Sequence, residues 1–206
     1  WALDFMHYIF PDYSMPWIYG IITILFIAFS TCIIISVFGI KNKLLQVLLS
    51  GCIIAFPSLI GTFSYMFTAS SYGLAFFLSV LSFYFFVKDG WIYKILGFAP
   101  LVISLGIYQS YISVTSSLML LFLLKELLYS DVPLAKVLKK GVVFLAGLAA
   151  SLSVYYLITK IILYAKWEEK SFVYLNYNYN GNDMIVSYYY MPNVEKITLP
   201  TLMEYS

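Results

Sequence analysis

Residues Ile95–Leu124 read ILGFAPLVISLGIYQSYISVTSSLMLLFLL and contain no charged side chain. Three other stretches share this property, namely Tyr13–Ile40, Leu44–Val87 and Gly141–Thr159. Each matches or exceeds the roughly 18–20 residues that a helix needs to cross the hydrocarbon layer of a membrane. The four runs therefore predict an all-α, polytopic membrane protein. A membrane β-barrel would instead show alternating segments of about ten residues, and the chain has none.

The overall composition supports the same class. Of the 206 residues, 62% are hydrophobic and only 11% are charged, whereas a soluble domain usually carries about 25% charged residues. All basic residues are lysines and the net charge is +2, so the bidentate phosphate contacts of arginine are absent and we expect no nucleic-acid partner. Cys32 and Cys52 lie in apolar runs, where thiols behave as small hydrophobes. We expect no cofactor; nothing indicates a divalent metal, and that question stays open.

The lengths of the runs predict how often the chain crosses the bilayer. The stretch Leu44–Val87 would make a helix of about 66 Å, roughly twice the hydrocarbon thickness, so we expect two spans there. Pro16 and Trp17 are suited to open the first span, as a first-turn proline beside an interfacial aromatic. The run Ile95–Leu124 would make about 45 Å of helix, which is long for one span and short for two.

Lysine placement decides between one span and two in that run. With a turn at Tyr108–Ser110, eight of the twelve basic residues fall in short loops on one face, as the positive-inside rule expects. We therefore predict a membrane protein with both observed ends outside. The six predicted spans lie near residues 16–40, 44–63, 71–87, 91–107, 111–128 and 141–164, followed by an outer loop rich in Tyr and Asn at 166–206.

No ionisable residue falls near the centre of a predicted span, which argues against an ion-coupled transporter. Chemistry is then expected at the membrane surface. The chain opens on WALDF and stops at MEYS, so we expect a fragment that lacks both ends of its parent protein.

The first outer segment, WALDFMHYIFPDYSMPW, carries the titratable residues Asp4, His7 and Asp12. Asp4 and His7 would share a face if this stretch is helical. A carboxylate there is suited to act as general base on a sugar hydroxyl. The alternative is an amphipathic interfacial helix whose few polar groups face water.

The outer tail contains FVYLNYNYNGNDMIVSYYYMPN, residues 172–193. Tyrosine rings offer flat faces for sugars, and asparagine amides pair with hydroxyls. The alternative is a hairpin in which an Asn180-Gly181 turn joins two strand-like runs.

The Tyr-Gln-Ser-Tyr cluster in the middle of the quoted run forms a turn at membrane depth in this arrangement. Such a turn is tolerated where it packs on protein or lines a wet cavity. Gln109 would present its amide to a sugar hydroxyl or phosphate, between Tyr108 and Tyr111 as aromatic walls. The alternative is a satisfied interfacial turn without a ligand.

Three stretches carry a family resemblance: WALDFMHYIF, TFSYMFTASSYGLAFFLSVLSFYF and ISLGIYQSYISV. Together they resemble the membrane glucosyltransferases of bacteriophage O-antigen conversion, the Gtr type II-like family. The most specific part is the Gly-x-Tyr-Gln-[AS]-Tyr pattern, matched at Gly106–Tyr111. An aromatic-rich outer turn containing Tyr65 precedes a span that opens near Tyr72. The resemblance covers about residues 1–130, which leaves the tail unmatched.

The resemblance implies a GT-C-like enzyme that takes glucose or a similar hexose from a polyprenyl-phosphate sugar donor. The acceptor would be a polysaccharide or lipid-linked glycan at the outer face of the bilayer. Asp4 is the loosely matched acid, with Tyr108, Gln109, Tyr111, Tyr65 and His7 as substrate contacts. The essential carboxylates of such enzymes are expected upstream of Trp1. Two other functions stay open: a polysaccharide polymerase or ligase of the same pathway, and a flippase or carrier of lipid-linked sugars.

Overall fold

The computed structural model describes residues 2, 16–55, 61, 63, 68–130, 132–169, 171–179 and 182–191. By contacts the chain divides into two compact units, Trp1–Tyr156 and Leu157–Ser206. The helices that pack against one another lie in the first unit. The elements in chain order are α1 Pro16–Phe38, α2 Lys43–Ile54, α3 Ala69–Val87, α4 Trp91–Ile107, a 3-10 turn Gln109–Tyr111, α5 Ile112–Tyr129, α6 Leu134–Glu169, β1 Ser171–Tyr179 and β2 Asn182–Met191.

Local sequence explains where α1 stops and α2 starts. Gly39 follows α1 with φ of +67°, a left-handed conformation that glycine adopts without steric cost. The amides of Gly39 and Ile40 bond back to the carbonyls of Ser36 and Ile35 at 3.2 Å each, which is a Schellman ending. Asn42 then caps α2, because its side chain accepts a hydrogen bond from the Leu44 amide at 2.9 Å.

Helix α3 lies at the centre of the first unit and is the most buried of the long apolar helices. Its serines bond to the neighbouring helices: Ser82 donates to the Gly97 carbonyl of α4 at 2.7 Å. Ser79 lies 2.7 Å from the Thr115 hydroxyl of α5. On the same helix, Val80 and Phe83 are completely buried. Hydrogen bonds of this kind join helices where water cannot compete.

Paired contacts give the relative directions of the helices. Gly73 of α3 faces Thr23 of α1, while Phe83 of α3 stacks on Phe38 of α1, so α1 and α3 run parallel. Helices α3 and α5 are also parallel, because Ser79 pairs with Thr115 and Phe83 packs against Phe122. Helix α4 runs antiparallel to α3. The parallel pair α1 and α3 requires the chain to return between them, and α2 lies in that return.

Lysines gather where α1, α3 and α5 end. Lys125 of α5 donates to the Phe38 carbonyl at the end of α1, at 2.7 Å. Lys94 of α4 donates to the Phe86 carbonyl near the end of α3, and Lys140 of α6 pairs with Glu126 at 2.5 Å. Because cations stabilise helix C-termini, these contacts hold neighbouring helices together. We call Lys88, Lys94, Lys125 and Lys140 the lysine end.

Within the described residues, four helices are long and apolar enough to cross a membrane: Trp17–Phe38, Ala69–Val87, Gln109–Tyr129 and Leu134–Ile162. Two shorter apolar helices, Lys43–Ile54 and Trp91–Ile107, fall on two further predicted spans. The helical class with several membrane-spanning candidates is therefore confirmed, whereas the count of six and the GT-C-like assignment stay predictions. Helix α6 is longer than its predicted span at 141–164, because it begins at Leu134 and continues to Glu169.

The second unit contains the end of α6 and an antiparallel ribbon of β1 and β2. The pairing runs from Ser171 opposite Met191 to Tyr179 opposite Asn182, with an irregularity between Tyr174 and Asn176. The two strands lie where the hairpin interpretation of the tail expects them. Asn180-Gly181, the predicted turn, lies outside the described residues.

Candidate functional site

The predicted site residues fall into two groups. Tyr108, Gln109 and Tyr111 all lie in the connection between α4 and α5. Asp4, His7 and Tyr65 lie outside the residues that the structure describes. The roles predicted for those three residues therefore remain predictions.

The connection between α4 and α5 is a sharp break in the quoted apolar run. Helix α4 ends at Ile107, and Tyr108 is extended with φ of −151° and ψ of 114°. Its amide still bonds to the Ser104 carbonyl at 2.9 Å, and Tyr111 bonds back to the Tyr108 carbonyl at 3.3 Å. The break therefore leaves these backbone groups paired, as a turn at membrane depth requires.

Aromatic rings converge at this break. Tyr108 lies 5.2 Å from the Tyr72 ring and 5.5 Å from the Tyr111 ring, centroid to centroid. Tyr111 also packs edge-on against Phe76 at 6.0 Å. We call Tyr72, Tyr108 and Tyr111 the tyrosine cluster. Ser79 fixes its position, since its hydroxyl donates to the Tyr111 carbonyl at 2.8 Å.

A cavity of about 930 Å³ opens beside the tyrosine cluster, within the roughly 300–1,000 Å³ range of small-molecule sites. Its walls come from α1, α2, α3, the turn and α5. The polar side chains on its lining are Tyr72, Tyr108, Ser110, Tyr111, Ser113, Ser117 and the thiol of Cys52. The remaining lining residues are apolar: Ile34, Phe38, Ile40, Leu49, Ile53, Gly61, Phe76, Val114, Leu118 and Leu121.

Comparison with known protein families shows the family to which the chain belongs. A family model described as Glucosyl transferase GtrII matches residues 1–199. The chain belongs to the GtrII glucosyl transferase family. No curated protein matches the chain, and no solved structure does. The family match confirms the resemblance and extends it beyond residue 130 into the tail, which the sequence comparison left unmatched.

In this GtrII family member the described part of the cavity lining consists of hydroxyl-bearing side chains, one thiol and apolar residues. Among the described residues, no acid, histidine or lysine lines the cavity. Its tyrosines and serines offer hydroxyl groups and flat rings, which suit the hydroxyls and faces of a sugar. No group of three metal-binding side chains occurs within the part of the chain that the structure describes.

The structure divides the predicted Tyr-Gln-Ser-Tyr motif between two surfaces. Tyr108, Ser110 and Tyr111 line the cavity, and Gln109 is not among its lining residues. The Gln109 amide instead donates to the Tyr155 hydroxyl of α6 at 2.5 Å. Gln109 thus links the turn to α6, a contact that the sequence did not predict.

Five polar cavity residues were not predicted as site residues: Cys52, Tyr72, Ser110, Ser113 and Ser117. The three serines recur at helical spacing, but Thr115 and Ser116 on the same helix obscure this pattern. Cys52 gave no signal, because a lone thiol in an apolar run has the pattern of a core residue.

Proposed function

We propose that this GtrII family member transfers glucose or a similar hexose from a polyprenyl-phosphate donor to a cell-surface or lipid-linked polysaccharide. We place the reaction at the outer face of the bacterial cytoplasmic membrane. The observation that carries the proposal is the tyrosine cluster at one end of a large apolar cavity, in a chain of a glucosyl transferase family. A lipid-linked sugar has the matching chemistry, with a polar sugar at one end of a hydrocarbon chain.

The lysine placement that decides the predicted crossings also supports the proposed direction of the site. The tyrosine cluster lies near the start of α3 and α5, and the lysine end lies where these parallel helices finish. Because lysines concentrate on the cytoplasmic side, the tyrosine cluster belongs on the outer side. The predicted six crossings agree with this direction.

In the proposed reaction an acceptor hydroxyl oxygen attacks the anomeric carbon of the donor sugar. The bond from that carbon to the phosphate oxygen breaks, and polyprenyl phosphate leaves with the bonding electrons. The acceptor proton passes to a carboxylate acting as general base, a role we assign to Asp4 or to an acid upstream of Trp1. Binding contributes mainly by orienting the two substrates. The leaving phosphate needs little protonation, so no general acid is required there.

The test is transfer of labelled glucose by the full-length protein from polyprenyl-phosphate glucose to a bacterial glycan acceptor. We expect product with this donor and none with a nucleotide-linked glucose. Failure of every polyprenyl-phosphate hexose to support transfer would contradict the proposal. Movement of intact lipid-linked sugar across vesicles without transfer would favour a carrier instead.

A further inference from the structure

The cavity beside the tyrosine cluster is much longer than a sugar requires. The wall formed by the turn and α5 runs from Ser110 to Leu121, a distance of roughly 16 Å at the rise of an ideal helix. Its α1 wall reaches Phe38, the last residue of that helix. The cavity therefore extends from the tyrosine cluster down toward the lysine end, over about half of a hydrocarbon layer about 30 Å thick.

The lining changes character along this length. Tyr108, Ser110 and Ser113 lie at the end beside the turn, while Val114, Leu118 and Leu121 follow along α5. Ser117 interrupts the apolar part, yet the facing walls contribute Ile34 and Phe38 from α1 and Leu49 and Ile53 from α2. This gradient suits one amphiphile whose polar head lies at the tyrosines and whose single chain points toward the lysine end.

Helix α2 forms a loosely packed side wall. Not one of its residues is buried, and Cys52 on this helix is exposed although it lines the cavity. Leu121 on the opposite wall is also 51% exposed. The cavity is therefore accessible from its side, so a long chain can enter from the surrounding bilayer rather than thread through an end.

We propose that this groove binds the isoprenoid chain of the donor, with its phosphate and sugar at the tyrosine cluster. The inference rests on the proposed function, because that function supplies the lipid-linked donor. A single groove fits a single chain, whereas a phospholipid has two. Branched isoprene units also pack well against the leucine, isoleucine and phenylalanine side chains that form the walls.

The two cysteines of the chain provide the test. Cys52 lines the groove, whereas Cys32 of α1 is exposed and does not. Two variants of the full-length protein are made, Cys32→Ser and Cys52→Ser, so that each keeps one of the two thiols. Any cysteine of the full-length protein outside residues 1–206 is replaced by serine in both variants. The rate of maleimide labelling is measured in detergent with undecaprenyl phosphate, with dioleoyl phosphatidylglycerol, or with no added lipid.

We expect undecaprenyl phosphate at ten times its Kd to slow labelling of Cys52 about tenfold, because only about one site in eleven is then free. Labelling of Cys32 should not change, and phosphatidylglycerol should protect neither thiol. No protection of Cys52, or equal protection by phosphatidylglycerol, would overturn the assignment of the groove to an isoprenoid chain.

A second pair of variants tests the groove through activity. Leu121 lines the cavity, whereas its neighbour Leu120 does not, and both are more than half exposed. Leu121→Trp should raise KM for the undecaprenyl donor about tenfold and leave KM for a ten-carbon prenyl donor unchanged. Leu120→Trp should change neither value. Equal effects of Leu121→Trp on both donors would contradict the inference.

The two proposals fail in different ways. Transfer from the undecaprenyl donor without protection of Cys52 would remove the tail groove and leave the glucosyltransferase function standing. Protection of Cys52 by undecaprenyl phosphate, with no transfer from any polyprenyl-phosphate hexose, would keep the groove and remove the proposed reaction.

Discussion

The two ends of the helical unit are built from different chemistry. At the lysine end, cationic side chains of one helix bond to carbonyls that finish another, as Lys125 does with Phe38 at 2.7 Å. Lys88 lies 4.4 Å from the centre of the Tyr84 ring, and the side chain of Tyr84 holds the pKa of Lys88 above its ordinary value. At the tyrosine cluster the contacts are neutral ring packing and hydroxyl hydrogen bonds.

We infer from this difference that the lysine end stabilises the helix packing and that the tyrosine cluster binds a ligand. Charged contacts at the lysine end tie α1, α3 and α5 to their neighbours. Neutral rings at the tyrosine cluster leave a wide cavity with hydroxyl groups on its lining. We therefore expect substitutions at the lysine end to lower stability and substitutions at the tyrosine cluster to lower activity.

The largest effect is expected from Lys125→Met. The ammonium of Lys125 donates to the carbonyls of Phe38 and Val37, and hydrogen bonds to charged groups contribute about 1.5–3 kcal/mol. Removing the donor should lower the free energy of unfolding by about that amount, measured by tryptophan fluorescence during SDS titration. Lys139→Met removes the same charge from an exposed lysine and should have little effect. Equal losses in the two variants would show that net charge, not helix capping, matters.

Tyr108→Ala should come next, acting on activity. The ring of Tyr108 is 46% exposed and packs against two other tyrosines, and an aromatic contact contributes about 0.5–1.5 kcal/mol. We expect kcat/KM for glucose transfer to fall about tenfold, which corresponds to about 1.4 kcal/mol, and the free energy of unfolding to fall by no more than about 0.5–1.5 kcal/mol. Tyr129→Ala, at the far end of α5 and 85% exposed, is the control. A large stability loss without an activity loss in Tyr108→Ala would reverse the comparison.

Much of the helix layout was predictable because it follows from the positions of charged residues and the lengths of apolar runs. The predicted arms 91–107 and 111–128 compare with observed helices Trp91–Ile107 and Ile112–Tyr129. Lys94 and Lys125 lie near the ends of these helices that are farthest from the turn. The Tyr-Gln-Ser-Tyr cluster marks the break between the two helices. The strands of the tail lie where the hairpin alternative, an Asn-Gly turn between two strand-like runs, expects them, whereas the carbohydrate-loop interpretation of the tail is untested.

The cavity and its walls were not predictable from the same signals. A cavity depends on which helix faces meet, and residues such as Ile34, Cys52 and Leu121 are ordinary apolar residues in their own helices. The partner of Gln109 is Tyr155, which lies 46 positions along the chain with no local pattern to connect them. The sequence therefore located the turn but not the direction in which its glutamine points.

A smaller effect should come from the hydrogen bond between hydroxyl groups that joins the central helix α3 to α5. Ser79 and Thr115 lie 2.7 Å apart in a buried setting, and such pairs within membranes couple by about 0.6 kcal/mol on average. A double-mutant cycle of Ser79→Ala and Thr115→Ala should return a coupling of that size in SDS titration. Ser153→Ala, which loses only an exposed bond to the Ala149 carbonyl of its own helix, should cost less. A coupling of zero would mean that packing alone joins α3 to α5.

The smallest effect is expected at the contact between Gln109 and Tyr155, which lies on the exposed side of the turn. A hydrogen bond open to solvent contributes at the low end of the usual range, about 0.5 kcal/mol. Tyr155→Phe should therefore leave unfolding almost unchanged and reduce kcat/KM about twofold, because the turn that carries Tyr108 loses one anchor. Gln109→Leu should give the same reduction, and the double variant should be no worse than either single one. If Gln109→Leu instead lowers activity tenfold while Tyr155→Phe does not, the glutamine amide contacts substrate directly. The substrate site would then include both surfaces of the turn.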